Sequence, residues 1–175
     1  MSDLATHAKL ARSNAQLPVN VYFDDALLKR EMQQLFRNGP RYIGHELMVP
    51  ETGDFATLAS EHEGRMLVRN AGGIEVLSNV CRHRQALMFN GRGNAKNIVC
   101  PLHRWTYDLK GELIGAPHFA NTPCLNLSRT PLQNWNGLLF EQNGYNVMDK
   151  LGKLSVTKDL DFSGYMFDHV EIHEC

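Results

Sequence analysis

The sequence predicts an all-β domain with one N-terminal helix, and three observations lead to this fold class. From Tyr42 onward, short apolar and β-branched runs follow one another at close spacing. Gly- and Asn-rich turn sequences separate these runs, a pattern typical of small antiparallel barrels or sandwiches. Before them, the segment from about Asp24 to Phe36 has the apolar spacing of an amphipathic helix. No internal repeat or low-complexity stretch interrupts this order.

The N-terminal 41 residues are expected to form a polar arm and then the helix. Asp24 or Asp25 can accept hydrogen bonds from the unpaired amides of the first helical turn. The run Asn38-Gly39-Pro40 ends the helix. The apolar side chains that share one helical face are Leu28, Met32, Leu35 and Phe36. We expect this helix to lie as an amphipathic strap over a sheet.

Residues 42–148 are expected to form the main β domain. Its predicted strands are Tyr42–Met48, Phe55–Ala59, Arg65–Arg69, Ile74–Asn79, Asn97–Cys100, Thr106–Leu109, Gly137–Phe140 and Tyr145–Met148. They are separated by turn sequences at 51–53, 71–73, 90–94 and 110–111. Residues 149–175 are expected to form a polar linker and a final strand, Tyr165–His173.

Composition and charge exclude several classes of protein. With 43% hydrophobic residues among 175, and only 14 Gly and 7 Pro, the chain is neither disordered nor collagen-like. The balance of 18 basic against 19 acidic residues predicts neither nucleic acid nor a membrane surface as a partner. Residues 1–12 lack the apolar run of a secretory signal, and no apolar run is long enough to span a membrane. We therefore expect a cytoplasmic protein, whose cysteines are more often metal ligands than disulfides.

Two clusters carry the chemical signal: Cys81-Arg82-His83 and Cys100-Pro101-Leu102-His103. Each follows a predicted strand, so two loops at strand tips can close on one metal centre. The residues alone leave three interpretations open. The first is core cysteines with surface histidines, and the second is a structural Cys2His2 zinc site. The third is a Rieske [2Fe–2S] centre, in which two cysteines hold one iron and two histidines hold the other.

The neighbours of these clusters extend the pattern. The sequence reads C-R-H-R at 81–84 and C-P-L-H-R-W-T-Y-D-L-K-G-E-L at 100–113. Further upstream, the helix is followed by Y-I-G-H at 42–45 and then by Pro50, Gly53 and Asp54. Over about residues 22–148 the chain resembles the Rieske domain of ring-hydroxylating oxygenase large subunits. It departs from the family at Arg104, where glycine is more common.

The resemblance implies a Rieske iron–sulfur fold with a cluster-binding subdomain at about residues 78–118. It implies that Cys81 and Cys100 hold the inner iron, and that His83 and His103 hold the outer iron. Electrons would come from a reductase or ferredoxin and pass to a mononuclear Fe(II) that serves aromatic-ring hydroxylation. That iron is expected in a catalytic domain beyond residue 175, commonly of a neighbouring subunit. This chain alone therefore lacks the oxygenase's mononuclear iron site.

Two other functions stay open beside the oxygenase component. A stand-alone Rieske-type ferredoxin would perform the same one-electron transfer, although ferredoxins of this type are usually shorter. A structural Cys2His2 zinc module would be redox-silent.

The residues around the predicted cluster have expected roles of their own. Trp105 and Met88 are expected to cover the cluster as apolar lids that exclude water. Tyr107 is placed to donate its hydroxyl toward a cysteine sulfur. Arg82 and Arg84 flank the first histidine and could offer a positive rim to an acidic electron donor.

The remaining histidines and cysteines are not expected to be ligands. His45 and His118 are expected to be structural histidines in hydrophobic surroundings. Cys124 and Cys175 are expected to be free thiols. A two-histidine, one-carboxylate iron site could be imagined at Asp168, His169 and His173. On the predicted strand, however, the two rings would lie about 13 Å apart, which is too far for one iron.

Overall fold

The computed structural model describes residues 17–58, 64–144, 146–154 and 160–173. The chain divides into two compact units, one up to Gly39 and one from Pro40 onward. No helix in the described part of the chain is both long and apolar enough to cross a membrane.

The first unit contains the predicted helix. After a 3-10 turn at Val19–Phe23, helix α1 runs over Asp25–Glu31 and continues as a π-helical turn at Met32–Arg37. The Asp24 carboxylate accepts hydrogen bonds from the amides of Ala26 and Leu27 at 2.9 and 3.1 Å, which confirms the predicted cap. The side chains of the predicted apolar face, Leu28, Met32, Leu35 and Phe36, are exposed.

The second unit is built from short strands. In chain order these are β1 (Tyr42–His45), β2 (Asp54–Thr57), β3 (Arg65–Asn70), β4 (Gly73–Ser78), β5 (Arg92–Asn94), β6 (Ile98–Val99), β7 (Thr106–Tyr107), β8 (Leu113–Gly115), β9 (Arg129–Thr130), β10 (Leu132–Trp135) and β11 (Leu138–Glu141). A 3-10 turn at Glu46–Met48 follows β1, and helix α2 spans Val147–Leu151. The all-β prediction is confirmed.

The described strands form three antiparallel sheets. Five strands pair in the order β5-β2-β3-β4-β9, three in the order β1-β11-β10 and three in the order β6-β7-β8. The hairpin β3–β4 is regular from Arg65 opposite Ser78 to Asn70 opposite Gly73. The small sheet β6-β7-β8 lies in the predicted cluster-binding region and follows the loop that carries the first cysteine.

Strand β3 lies at the centre of the packing, because alternate side chains enter different apolar clusters. Met66 and Val68 pack with the cysteines and aromatic residues of the cluster-binding region. Leu67, on the opposite face, packs with residues of β1, β2 and β11. The strand is therefore buried on both faces, and it fixes the cluster-binding region to the larger sheet.

Two predicted strands are wrong. Helix α2 replaces the predicted strand Tyr145–Met148, of which Tyr145 lies outside the described residues. The Asn146 side chain caps this helix by accepting from the Asp149 amide at 3.2 Å, and Val147 is buried. The described residues of the predicted strand Tyr165–His173 form no ladder, because their polar side chains bond to one another locally instead.

Four observed strands were not predicted: β5, β8, β9 and β10. Strand β5 occupies a segment whose glycines and asparagines predicted only a turn, and it pairs with β2 through Gly93 opposite Phe55. A Cβ atom at Gly93 would lie 2.8 Å from the Phe55 ring, so the small residue permits this close pairing.

Candidate metal centre

The first cysteine–histidine cluster lies on loop 1, residues 81–86, which follows β4. The Cys81 amide donates to the Ala86 carbonyl at 2.9 Å, and the Gln85 amide donates back to the Cys81 carbonyl at 2.9 Å. A β-bridge between Val80 and Leu87 closes the base of the loop. Gln85 has a φ of +56°, in the left-handed region.

The second cluster lies on loop 2, residues 100–105, between β6 and β7, and it has the same backbone pattern. The Cys100 amide donates to the Trp105 carbonyl at 2.8 Å, and the Arg104 amide donates to the Cys100 carbonyl at 3.1 Å. Arg104 has a φ of +61°, the conformation for which glycine is the usual choice. Arg104 therefore adopts a left-handed conformation at the cost of local strain.

The two loops bring both histidines together. The ring centroids of His83 and His103 lie 4.8 Å apart at an interplanar angle of 78°. Both residues are half-buried, whereas the side chains of Cys81 and Cys100 are only 1% and 2% exposed. The paired loops thus present two thiols inside the domain and two imidazoles nearer its surface.

The hydroxyl of Tyr107 lies between the two loops. It accepts a hydrogen bond from the Arg82 amide at 3.1 Å, and it lies 3.6 Å from the sulfur of Cys81. Burial raises the pKa of Tyr107, so the hydroxyl keeps its proton. Because the oxygen already accepts from the Arg82 amide, the hydroxyl proton can be directed toward the sulfur.

Two aromatic rings pack against the imidazole of His83. The indole of Trp105 stacks on His83 with centroids 4.9 Å apart and an angle of 7°, and Phe119 meets both rings edge-on. Burial lowers the pKa of His83, helped by the nearby charges of His103 and Arg84, which favours the neutral form that binds metals. Met88 is 7% exposed and packs in the same apolar cluster.

Two buried polar atoms in this region have no hydrogen-bond partner among the described residues, namely Nδ1 of His83 and Nε1 of Trp105. Native proteins leave few such atoms unpaired, and a metal or cofactor is one explanation for them. A free imidazole nitrogen buried beside a second histidine and two buried thiols fits a metal centre with mixed nitrogen and sulfur ligands.

Two kinds of metal site could use these four side chains. A Cys2His2 zinc site needs all four ligands around a single ion. A Rieske [2Fe–2S] cluster needs a pair of cysteines at one iron and a pair of histidines at the other. The two loops supply the residue types that either site requires.

The surface around the histidines is basic and partly apolar. Arg82, Arg84 and Arg104 are exposed on the two loops. Beside them, the side chain of Leu102 is 61% exposed and that of Phe119 is 48% exposed. The surface next to the two histidines therefore combines positive charge with exposed apolar side chains.

The described histidines and cysteines outside the two loops have different environments. The Nδ1 atom of His45 accepts from the Leu47 amide at 3.2 Å, which is a structural role as predicted. His118 is exposed with a φ of +70°, so the prediction of hydrophobic surroundings is wrong. Cys124 is exposed and free, and Cys175 lies outside the described residues.

Residues 165–173 form no strand, so the predicted separation of about 13 Å between the rings of His169 and His173 is wrong. Instead the Glu171 carboxylate contacts the Nε2 atoms of both His169 and His173, at 3.1 and 3.2 Å, and Asp168 contacts His169 at 2.7 Å. These groups are engaged with one another at the surface, and the described residues offer no set of three that could hold a metal there.

Two residues near the loops, Phe119 and Asn79, have contacts that the sequence did not predict. Phe119 contacts His83 across a long connection, and no spacing rule indicates such a contact. Asn79 is 3% exposed, and its side chain exchanges two hydrogen bonds of 2.9 Å with the backbone of Phe89. The side chain of Asn79 thus holds the segment after loop 1. The available signal was a polar asparagine at the end of an apolar strand, two residues before Cys81.

Comparison with known proteins supports the two-iron interpretation. The family model described as the Rieske [2Fe-2S] domain matches residues 40–128. Putrescine 2-hydroxylase of Ralstonia nicotianae is 66% identical over 175 residues, covering 100% of this chain and 48% of that protein. Putrescine 2-hydroxylase of Bordetella bronchiseptica is 47% identical over 190 residues, covering 100% of this chain and 44% of that protein.

A solved structure shows the same architecture. Naphthalene 1,2-dioxygenase from Rhodococcus sp. aligns with a TM-score of 0.65 and 26% identity, covering 85% of this chain and 37% of that chain. The chain therefore spans about half the length of the curated relatives it matches.

Proposed function

This chain belongs to the Rieske [2Fe-2S] domain family, and on that premise we propose that it transfers single electrons within a Rieske oxygenase large subunit. The observation that carries the proposal is the pair of matching loops, which place two cysteines inside and two histidines near the surface. When bound, the [2Fe–2S] cluster supplies a centre that takes up and releases one electron. Residues 42–148 form the electron-transfer domain, with the ligand loops inside 78–118.

The burial of the cysteines and the unpartnered ring nitrogen of His83 support the assignment of the iron ligands. Cys81 and Cys100 hold the inner iron, because their sulfurs lie in the apolar core. His83 and His103 hold the outer iron, with Nδ1 of His83 as its ligand atom, because that atom is buried and has no protein partner among the described residues. Two thiolates and two neutral imidazoles carry less negative charge than four thiolates, which favours reduction.

The surrounding residues keep the centre dry and stabilise negative charge. Trp105 and Met88 cover it, and Phe119 closes the side next to His83. The Tyr107 hydroxyl donates to the sulfur of Cys81, and this hydrogen bond gains strength as charge builds up on the sulfur.

The basic surface of the two loops is the face for the electron donor. Arg82, Arg84 and Arg104 attract an acidic reductase or ferredoxin, so the association should weaken as salt is added. The two histidines lie nearer the surface than the two buried cysteines, so we place the entry and exit of electrons on their side of the domain. The resemblance implies that the acceptor is a mononuclear Fe(II) in the catalytic part of the large subunit.

A reductive titration tests electron transfer directly. Purified under anaerobic conditions, the chain should bind two irons and two acid-labile sulfides and take up one electron from dithionite. The reduced protein should give a paramagnetic resonance signal, and air should restore the oxidised spectrum. Stoichiometric zinc, with no signal after dithionite, would support the structural zinc module and exclude the proposal.

We further propose that the longer protein hydroxylates a small diamine. The two putrescine 2-hydroxylases match the whole of this chain at 66% and 47% identity, whereas the naphthalene dioxygenase matches at 26%. The same full-length match to proteins about twice as long favours an oxygenase component over a stand-alone ferredoxin.

Oxygen consumption by the complete large subunit with its reductase tests the substrate class. Putrescine should stimulate oxygen uptake with formation of a hydroxylated diamine, and naphthalene should not. Equal stimulation by naphthalene, or product formed from naphthalene alone, would contradict the diamine assignment and leave the electron-transfer role intact.

A further inference from the structure

The indole of Trp105 is held rigidly beside the ligand loops. The residue is 1% exposed, and its ring lies parallel to that of His83 with centroids 4.9 Å apart. Phe119 packs edge-on against the same indole at 5.3 Å. The backbone carbonyl of Trp105 accepts a hydrogen bond from the Cys100 amide at 2.8 Å, which fixes Trp105 at the end of loop 2. The indole N–H therefore has a defined direction.

This N–H has no acceptor in the part of the chain that the structure describes. The imidazole of His83 presents its face to the indole, at an angle of 7°, so its in-plane nitrogens cannot accept. Neither the sulfur of Cys81 nor that of Cys100 accepts from it. An N–H buried without a partner loses its hydration without compensation, and native proteins contain few of them.

The second unpartnered atom of this region is Nδ1 of His83, whose ring stacks on the indole. This Nδ1 is also the atom that we assign as a ligand of the outer iron. Beside that iron, the cluster carries inorganic sulfides, which are anionic and can only accept hydrogen bonds. We propose that Trp105 donates a hydrogen bond from Nε1 to an inorganic sulfide of the cluster. This inference rests on the proposed function, and it makes Trp105 a residue that sets the reduction potential as well as a cover.

The direction of the effect follows from charge. Reduction adds negative charge to the cluster, so a hydrogen bond to a sulfide is stronger in the reduced state. Trp105 therefore stabilises the reduced form. Loss of the bond should lower the equilibrium constant for reduction about tenfold, which corresponds to a fall in potential of about 59 mV for a one-electron couple.

The first test compares two tryptophan substitutions in the holoprotein. Trp105→Phe keeps an aromatic cover but removes the N–H, and the potential measured by protein-film voltammetry should fall as stated. Trp135→Phe is the matched control, because Trp135 is also buried, at 8% exposure, but lies on β10. Its potential should equal that of the wild type. An unchanged potential in Trp105→Phe would overturn the proposal.

The second test does not require Trp105 to be replaced. The chain has two tryptophans, so Trp105 is the sole indole in the Trp135→Phe protein. The ultraviolet resonance Raman band that reports indole N–H bonding should shift between the oxidised and reduced protein. An unshifted band in a sample that shows the paramagnetic signal of the reduced cluster would overturn the inference but not the proposed function. A sample with no such signal would contradict both.

Discussion

Replacing Cys100 by serine is expected to abolish cluster incorporation. Loss of a residue that only hydrogen-bonds to a metal ligand costs about 10–100-fold in metal affinity. Loss of a thiolate ligand itself should reduce the affinity further. The hydroxyl of serine is a poor substitute, because it is not deprotonated at neutral pH. Iron and sulfide analysis of Cys100→Ser should therefore give almost none of either, and the protein should be colourless.

Cys124→Ser is the matched control for this substitution. Cys124 is exposed and free, and it lies outside both loops. This variant should bind the same iron and sulfide as the wild type. A Cys100→Ser protein that retains full iron, or a Cys124→Ser protein that loses it, would show that the ligands have been wrongly assigned.

Replacing Tyr107 by phenylalanine should lower the reduction potential and leave the cluster in place. The substitution removes only the hydroxyl that contacts the Cys81 sulfur at 3.6 Å. A hydrogen bond of this kind contributes about 0.5–1.5 kcal/mol. If that contribution falls entirely on the reduced state, the potential should drop by roughly 20–65 mV for one electron. Redox titration of the purified holoprotein measures this shift.

The control for Tyr107→Phe is Tyr42→Phe. Tyr42 is 54% exposed and lies on β1, which pairs with β11 and carries none of the predicted ligands. Its removal should leave the potential unchanged. Equal potentials for Tyr107→Phe and the wild type would mean that the hydroxyl does not donate to the sulfur in the loaded protein.

The sequence predicts the long, strongly patterned elements well. Strands β3 and β4 have apolar centres, with Met66-Leu67-Val68 in β3 and Val76-Leu77 in β4, and helix α1 has an aspartate cap with apolar spacing. Strand β5 was missed because its residues, Arg92–Asn94, have no strand propensity of their own. They pair with β2 because the surrounding fold brings them to its edge. Helix α2 was missed because local capping by Asn146 outweighs the β-branched Val147.

The ligand motifs were readable from the sequence because they are local. The spacing of the cysteines and histidines indicated two loops, and the structure closes both with equivalent hydrogen bonds. The left-handed conformation of Arg104 was not predictable, because arginine has no preference for it. The contact of Phe119 with His83 depends on how a distant connection folds back over the loops. Such contacts are determined by tertiary structure and leave no periodic signal.

In the segment 165–173 the sequence pattern predicts a strand that the structure does not contain. The alternation of polar and apolar residues at His169, Val170, Glu171 and Ile172 is typical of a strand. In the structure Phe167 packs under Arg92, whose guanidinium lies 4.4 Å from the ring centroid, and His169 bonds to Glu171. A strand needs a partner edge, and none of the described strands pairs with this segment.

Mössbauer spectroscopy of the ⁵⁷Fe-loaded protein tests the central claim most directly, which is that the cysteines hold one iron and the histidines the other. Thiolates donate more negative charge than neutral imidazoles, so the two irons should differ and the added electron should reside on the histidine-ligated iron. We expect two components of equal area in the oxidised protein, of which only one changes to a ferrous component on reduction. Two equivalent irons that change together, or a protein with no bound iron, would contradict the paired ligation by Cys81 with Cys100 and by His83 with His103.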